Sequence, residues 1–162
     1  MLTPQDILEE FNEELPGTRK MLERVPFDKL EFQPHPKSMK LKSLAQLVGS
    51  MPFWFLSIVK DDAIDVTTYK QAPAPKDVQE LVKIYDQGVK EAQRALTTMD
   101  EKAMKKPWAL KMGAQVLMEL PKGAVLRQTI NHWVHHRAQL GVYLKMQGVP
   151  HPALYGASGD EK

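Results

Sequence analysis

Along the chain, apolar side chains recur every three or four residues in four long stretches, and each stretch predicts a helix with one face turned to a core. The first opens at Thr3, a capping residue, with Pro4 at the first helical position and Asp6 at the third. Ile7, Leu8, Phe11, Leu15 and Leu22 then share one face. Pro16 lies inside this pattern. It lacks a backbone donor and crowds the preceding turn, so a kink between Asn12 and Pro16 is expected. Val25-Pro26-Phe27 ends the helix. The second stretch runs from near Leu41 to Val59, with Leu44, Val48, Met51, Phe55 and Ile58 inward and Pro52 bending it. The third has the cleanest pattern, through Val78, Leu81, Val82, Tyr85, Val89, Ala92 and Leu96. The fourth extends from near Pro121 to Gln147, where Gly148 can cap it and Pro150 forbids continuation.

The connections are uneven. Residues 31–38 carry Pro34, His35 and Pro36 and read as extended chain. Residues 61–75 form a polar, proline-bearing link. Residues 98–121 have no helical period, yet structureless loops of that length are uncommon inside a compact domain. Leu110 and Met112, then Gly113, then Val116, Met118 and Leu120 suit either a short hairpin or an extended crossover. Four helices with no convincing sheet predict an all-α fold: one four-helix-bundle domain over residues 1–162, whose long crossover connections let neighbouring helices run parallel.

Composition narrows the chemistry. The 162 residues are 43% hydrophobic and 26% charged, ordinary globular usage. Twenty-two Lys and Arg against 20 Asp and Glu leave +2, too little for a dedicated nucleic-acid binder. With no cysteine, disulfides, thiolate nucleophiles and cysteine metal sites are excluded. The N-terminal residues are acidic and amphipathic, unlike a secretory signal, and the uncharged run over residues 43–59 falls short of a membrane span. A cytoplasmic protein without membrane or nucleic-acid partners is expected.

The five histidines are unevenly placed, with His132, His135 and His136 within five positions. Four residues apart on a helix, His132 and His136 share a face and can converge on one ion. Val125, Thr129 and Tyr143 lie on the same stripe, which therefore faces the bundle. A metalloprotease motif is rejected because Trp133 stands where its glutamate belongs. His135 points elsewhere and reads as a partner-bonded or surface residue. Met51-Pro-Phe-Trp-Phe-Leu56 reads as core, with Trp54 also able to line a pocket. Lys37, Lys40 and Lys42 read as a solvated cluster.

These pieces, in this order, resemble the DinB/YfiT-like superfamily of four-helix-bundle metalloenzymes. The resemblance covers nearly the whole chain. It rests on Leu22-Glu-Arg-Val-Pro26, Pro34-His-Pro-Lys-Ser38, Leu44-Ala-Gln-Leu-Val-Gly-Ser50 and Trp108-Ala-Leu with Gly113. It continues through His132-Trp-Val-His-His136-Arg-Ala-Gln-Leu140, Gly148-Val-Pro150 and Leu154-Tyr-Gly156. It implies a metal site with one histidine from the second helix and two from the fourth. His132 and His136 match the pair, but Ser50 occupies the second-helix position, and Ala138 replaces a usual glycine. A hydroxyl is a weak, short substitute for an imidazole, so binding of a divalent metal (Zn, Ni, Mn or Fe) is placed in question. His35 is a conceivable substitute but reads better as a loop histidine, and Asp61 and Asp62 lie too far along the helix.

Arg137 and Gln139 belong to the motif, and helix-to-helix hydrogen bonding is expected of them. Two functions follow from the resemblance. One is a metal-dependent enzyme acting on a small molecule by hydrolysis or thiol-linked transfer, with an altered site. The other is a non-catalytic, metal-free bundle for small-molecule binding or interaction. Both keep a pocket over His132 and His136, with Trp54, Thr129 and Tyr143 as lining candidates, and both imply a homodimer.

Overall fold

The computed structural model describes residues 2–69 and 73–162. Residues 70–72 of the 61–75 link, and Met1, lie outside the described residues. Four long helices carry the fold: α1 (Pro4–Leu22), α2 (Leu41–Lys60), α3 (Val78–Thr97) and, after a short α4 (Glu101–Met104), α5 (Lys122–Met146). Three strands join them: β1 (Ala63–Asp65), β2 (Pro107–Met112) and β3 (Gln115–Pro121). No helix among the described residues is long and apolar enough to cross a membrane.

Local chemistry explains the ends. The Thr3 hydroxyl accepts from Asp6 N–H at 3.2 Å while Asp6 accepts from Thr3 N–H at 2.8 Å, a reciprocal capping box. Asp77 caps α3 through Glu80 N–H at 2.7 Å. At the end of α5, Gly148 takes φ +74°, and the N–H groups of Gly148 and Val149 return to the carbonyls of Lys145 and Leu144. That is a Schellman ending, which needs a residue without a Cβ at the left-handed position. α1 continues through Pro16 as one helix. There the Glu14 carbonyl takes the Thr18 hydroxyl and Arg137, and the Leu15 carbonyl takes the Tyr85 hydroxyl.

Contacts across the bundle set its winding. α2 packs against α3 and α5, and α1 against the same two helices, so α1 and α2 lie mainly across the diagonal. Tyr85 reaching Leu15 while Gln93 reaches Asn12 makes α1 and α3 antiparallel. Lys122 reaching Val59, Trp133 reaching Val48 and Tyr143 reaching Met39 make α2 and α5 antiparallel. α1 and α5 are parallel, with Glu10 beside Arg127 and Glu14 beside Arg137. α2 and α3 are parallel too, as the long link between them allows: Gly49 abuts Leu81 and Gly88 abuts Phe53. The core between them includes Phe11, Phe55, Tyr85 and Trp133, whose rings stack at tilted or edge-on angles.

The sheet adds to the expected bundle without changing its class. Residues 107–121 form the hairpin, one of the two alternatives their pattern left open, with β2 and β3 antiparallel. Its two-residue loop puts Gly113 first, at φ +59°, the placement a type II′ turn requires. β1 then pairs in parallel with β2, Ala63 opposite Ala109, and the Asp65 carboxylate accepts from Gly113 N–H at 3.1 Å. Lys122, 3% exposed, fastens this end of the molecule. Its ammonium donates to the Val59 carbonyl at 3.1 Å in the last turn of α2 and pairs with Asp62.

Candidate functional site

α5 presents its histidines where α2 and the sheet meet. Trp133, on the inward side of that helix, donates to the Val48 carbonyl at 2.9 Å and sets the register of α5 on α2. On either side of it stand His132, exposed, and His136, buried. Their rings are 4.5 Å apart and their Nε2 atoms 2.7 Å apart. His136 Nδ1 lies 2.8 Å from Gln139 Oε1, and Gln139 Nε2 lies 3.1 Å from His135 Nε2. With the amide oriented this way, Gln139 fixes the His136 proton on Nδ1, His136 Nε2 accepts, and His132 Nε2–H donates. Partial burial, then the neighbouring imidazoles of His136 and His135, hold His132 below the usual histidine range.

This arrangement corrects one expectation. Gln139 makes no bond to another helix; it ties together two histidines of its own. Arg137 does bridge helices, donating to the Glu14 carbonyl and Thr18 hydroxyl of α1 and pairing with the Glu14 carboxylate. His135, bonded to Gln139, also lies at the edge of the cleft beside His132.

The cleft measures about 490 Å³. Trp54 of α2, Val125, Gln128, Thr129, Asn131, His132 and His135 of α5, and Trp108, Leu110 and Met118 of the sheet line it. Of the three residues expected to line a pocket, Trp54 and Thr129 are among those around this cleft. Tyr143 is not: it lies two turns beyond His136, packed edge-on against Phe32, with its hydroxyl donating to the Met39 carbonyl. The sheet wall is the part sequence reasoning missed. Trp108 and Leu110 alternate on β2, and Met118 stands opposite Leu110 on β3. The period-two signal was present in residues 107–121, but its partner surface was not.

Do these residues fit a divalent ion? Two nitrogens on a tetrahedral zinc with bonds of about 2.0–2.1 Å stand about 3.3 Å apart. The histidine pair would have to open slightly, and His132 would have to move its proton to Nδ1. Gln139 already serves His136 as the outer partner that metal-binding histidines use. The third donor is lacking. Ser50 lies one turn before Trp54 on α2, half-buried, and its hydroxyl turns back to the Leu47 carbonyl at 3.4 Å. His35 is committed to a loop, where Nδ1 accepts from Lys37 N–H at 3.1 Å. Asp62 pairs with Lys122. Among the described residues no group of three or more His, Asp or Glu side chains could hold a metal ion. The residues present supply two ligands and do not complete a three-histidine site.

Elsewhere the picture is bland. Lys40 and Lys42 clasp Glu31 at 2.6 and 2.5 Å and hold its carboxyl down to about 2. Both ammonium groups are thus taken up by one exposed carboxylate on the surface.

Fold and site together define a four-helix bundle with a paired-imidazole cleft under a small sheet. The chain belongs to the DinB family, whose model matches residues 1–161. Solved structures agree on the fold. A DinB-like protein from Bacillus cereus is 22% identical with a TM-score of 0.73, over 94% of this chain and 98% of that one. The DinB-like protein YjoA from Bacillus subtilis is 16% identical with a TM-score of 0.66, over 88% and 91%. A search of curated proteins finds no significant match.

Proposed function

We propose that this chain is a small-molecule-binding bundle of the DinB family, and that the molecule sits in the cleft between α5, α2 and the sheet. The cleft's composition carries the reading. Trp54, Trp108, Leu110, Met118 and Val125 make its walls apolar, while Gln128, Thr129, Asn131 and the imidazoles place polar groups on the α5 side. Small-molecule sites are built this way, with an apolar body and a few polar groups that orient the ligand. In this reading the histidine pair is part of the polar rim and needs no metal. The protein would act as a cytoplasmic homodimer, without nucleic-acid or membrane partners, and sedimentation at micromolar concentration checks the dimer.

A second reading is metal-dependent chemistry on a small molecule, hydrolysis or thiol-linked transfer. It is favoured by the convergence of both Nε2 atoms and by Gln139 orienting His136. Zinc, nickel, manganese or iron would then be held by His132 and His136 with Ser50 as a weak third partner. Calorimetric titration with each ion separates the two. The metal-free reading expects no stoichiometric binding in the wild type, and gain of one site in Ser50→His that His132→Ala or His136→Ala abolishes. One equivalent of metal on the wild type, lost in His132→Ala, would overturn it in favour of the second.

A further inference from the structure

Trp108 holds a donor that no group among the described residues uses. The residue is 1% exposed, and its Nε1–H is buried without a hydrogen-bond partner. Native structures leave few such groups, and those that remain call for an explanation. The contrast within the molecule is direct, because the other deeply buried indole, Trp133, donates to Val48. The backbone that carries Trp108 is held in place, so only a turn of the side chain can bring the N–H to an acceptor. Its strand is paired on both sides, with Leu120 opposite it on β3 and Ala63 opposite its neighbour Ala109 on β1. The Trp108 side chain also lines the cleft, beside Leu110 and Met118, with its N–H turned away from the open space.

The rest of the cleft limits what can bring the acceptor. No lysine or arginine stands among its described lining residues. A carboxylate taken out of water there would meet no fixed cation among those residues, only imidazoles that must first be protonated, which is costly. A neutral carbonyl oxygen carries no such penalty. The two indoles and the aliphatic side chains of its lining suit a flat apolar body, and a cleft of about 490 Å³ lies within the range of small-ligand sites.

Resting on the small-molecule reading above, we infer that the ligand class is a neutral carbonyl compound with a flat apolar body, whose oxygen accepts the Trp108 Nε1–H. That N–H is out of contact with water in the present arrangement, so the indole tips to meet the oxygen as the ligand enters. An analogue of the same shape without the acceptor leaves the donor unpaired and binds less well. Sites built around a specific hydrogen bond discriminate in this way.

Three probes test this: acetophenone, its isostere α-methylstyrene in which CH₂ replaces the carbonyl oxygen, and benzoate. The readout is the indole N–H resonances of ¹⁵N-labelled protein, whose three tryptophans are assigned from single Trp→Phe variants. Acetophenone is expected to move the Trp108 indole proton downfield and to bind at least about tenfold tighter than α-methylstyrene. Trp108→Phe should erase that advantage while α-methylstyrene binds as before. Equal binding of the two neutral probes with the Trp108 resonance unmoved, or a preference for benzoate, would overturn the inference while leaving the cleft reading intact. If no probe perturbs the Trp54 or Trp108 indole, the cleft reading fails first and the inference with it. Should Trp108→Phe not fold, the wild-type comparison of the probes and the indole shift decide alone.

Discussion

At the scale of single residues, the histidine cluster is one hydrogen-bonded row built around Gln139. His132 and His136 meet through Nε2 atoms 2.7 Å apart, so only one of those atoms carries a proton while the contact lasts. Burial on one side and two adjacent imidazoles keep His132 below its ordinary value of 6.5. In the unfolded chain His132 takes a proton near pH 6.5, whereas in the folded protein it does so only at lower pH. Between those two points the unfolded state binds more protons, so stability falls as pH drops from 6.5 and the loss is complete below the folded value. Proton NMR of metal-free protein should therefore show His132 titrating below the ordinary histidine range, and closer to it in His136→Gln. A wild-type midpoint at or above 6.5 contradicts the arrangement. Helical spacing made the pair legible in sequence, since positions four apart always share a face. It could not show that Gln139 at the next turn would choose the histidines over another helix. That choice depends on side-chain rotamers and on which surface α5 leaves exposed.

Among the elements, the contact between α2 and α3 is the most demanding, because two parallel helices approach through glycines. A Cβ on Gly88 would stand 2.9 Å from Phe53 Cε2 and 3.2 Å from Pro52 Cβ, whereas one on Gly49 would stand 2.8 Å from the end of the Leu81 side chain. The Leu81 methyl can rotate away. Pro52 Cβ cannot, since its ring is fixed within α2. Gly→Ala inside a helix gains about 1 kcal/mol of propensity, and overpacking costs roughly 1–3 kcal/mol. Gly88→Ala is therefore expected to be net destabilising by about 1 kcal/mol, and Gly49→Ala to be near neutral, as read from urea unfolding midpoints. The reverse order would show that the helices separate at Pro52 instead. The helices themselves were readable to within a residue or two, from Pro4, Leu41, Val78 and the Lys122 end, because caps and 3.6-residue periodicity are local signals. The sheet was not. β1 is only three residues long and pairs with a strand more than forty positions away. The shift in register between Leu110 and Lys111 leaves Leu117 as an extra residue on β3, which period-two alternation alone does not announce. The cleft's far wall was hidden for the same reason, and with it the role of Trp108.

Over the whole molecule, one side chain ties three parts of the chain that the bundle contacts alone would leave loosely joined. Arg137 of α5 is 2% exposed. It pairs with the Glu14 carboxylate of α1 at 2.5 Å and donates to the Glu14 carbonyl at 3.1 Å and the Thr18 hydroxyl at 2.9 Å. The nitrogen that pairs with the carboxylate also meets the Tyr155 hydroxyl at 2.5 Å, and that hydroxyl donates to Glu14. Beyond α5 the chain thus folds back over α1, where Gly17 lets Leu154 come within van der Waals reach of the backbone. Two further ion pairs, Lys145 with Asp160 and Arg24 with Glu161, hold the end of the chain, but both are substantially exposed and contribute little each. The buried pair should dominate. Arg137→Met strips the cation from a carboxylate that is only 14% exposed, and losing one partner of a buried pair costs about 3–5 kcal/mol. Removing both charges, in Arg137→Met with Glu14→Leu, should recover much of that loss, because the pair's own net stabilisation is small once desolvation is counted. Urea unfolding of the two single variants and the double variant closes the cycle. Limited chymotrypsin digestion reports the tail: cleavage at Tyr155 should accelerate in Arg137→Met before global unfolding does. A single-variant loss under about 1 kcal/mol would mean that apolar packing along α1 and α5, not this clamp, holds the tail and the two parallel helices together.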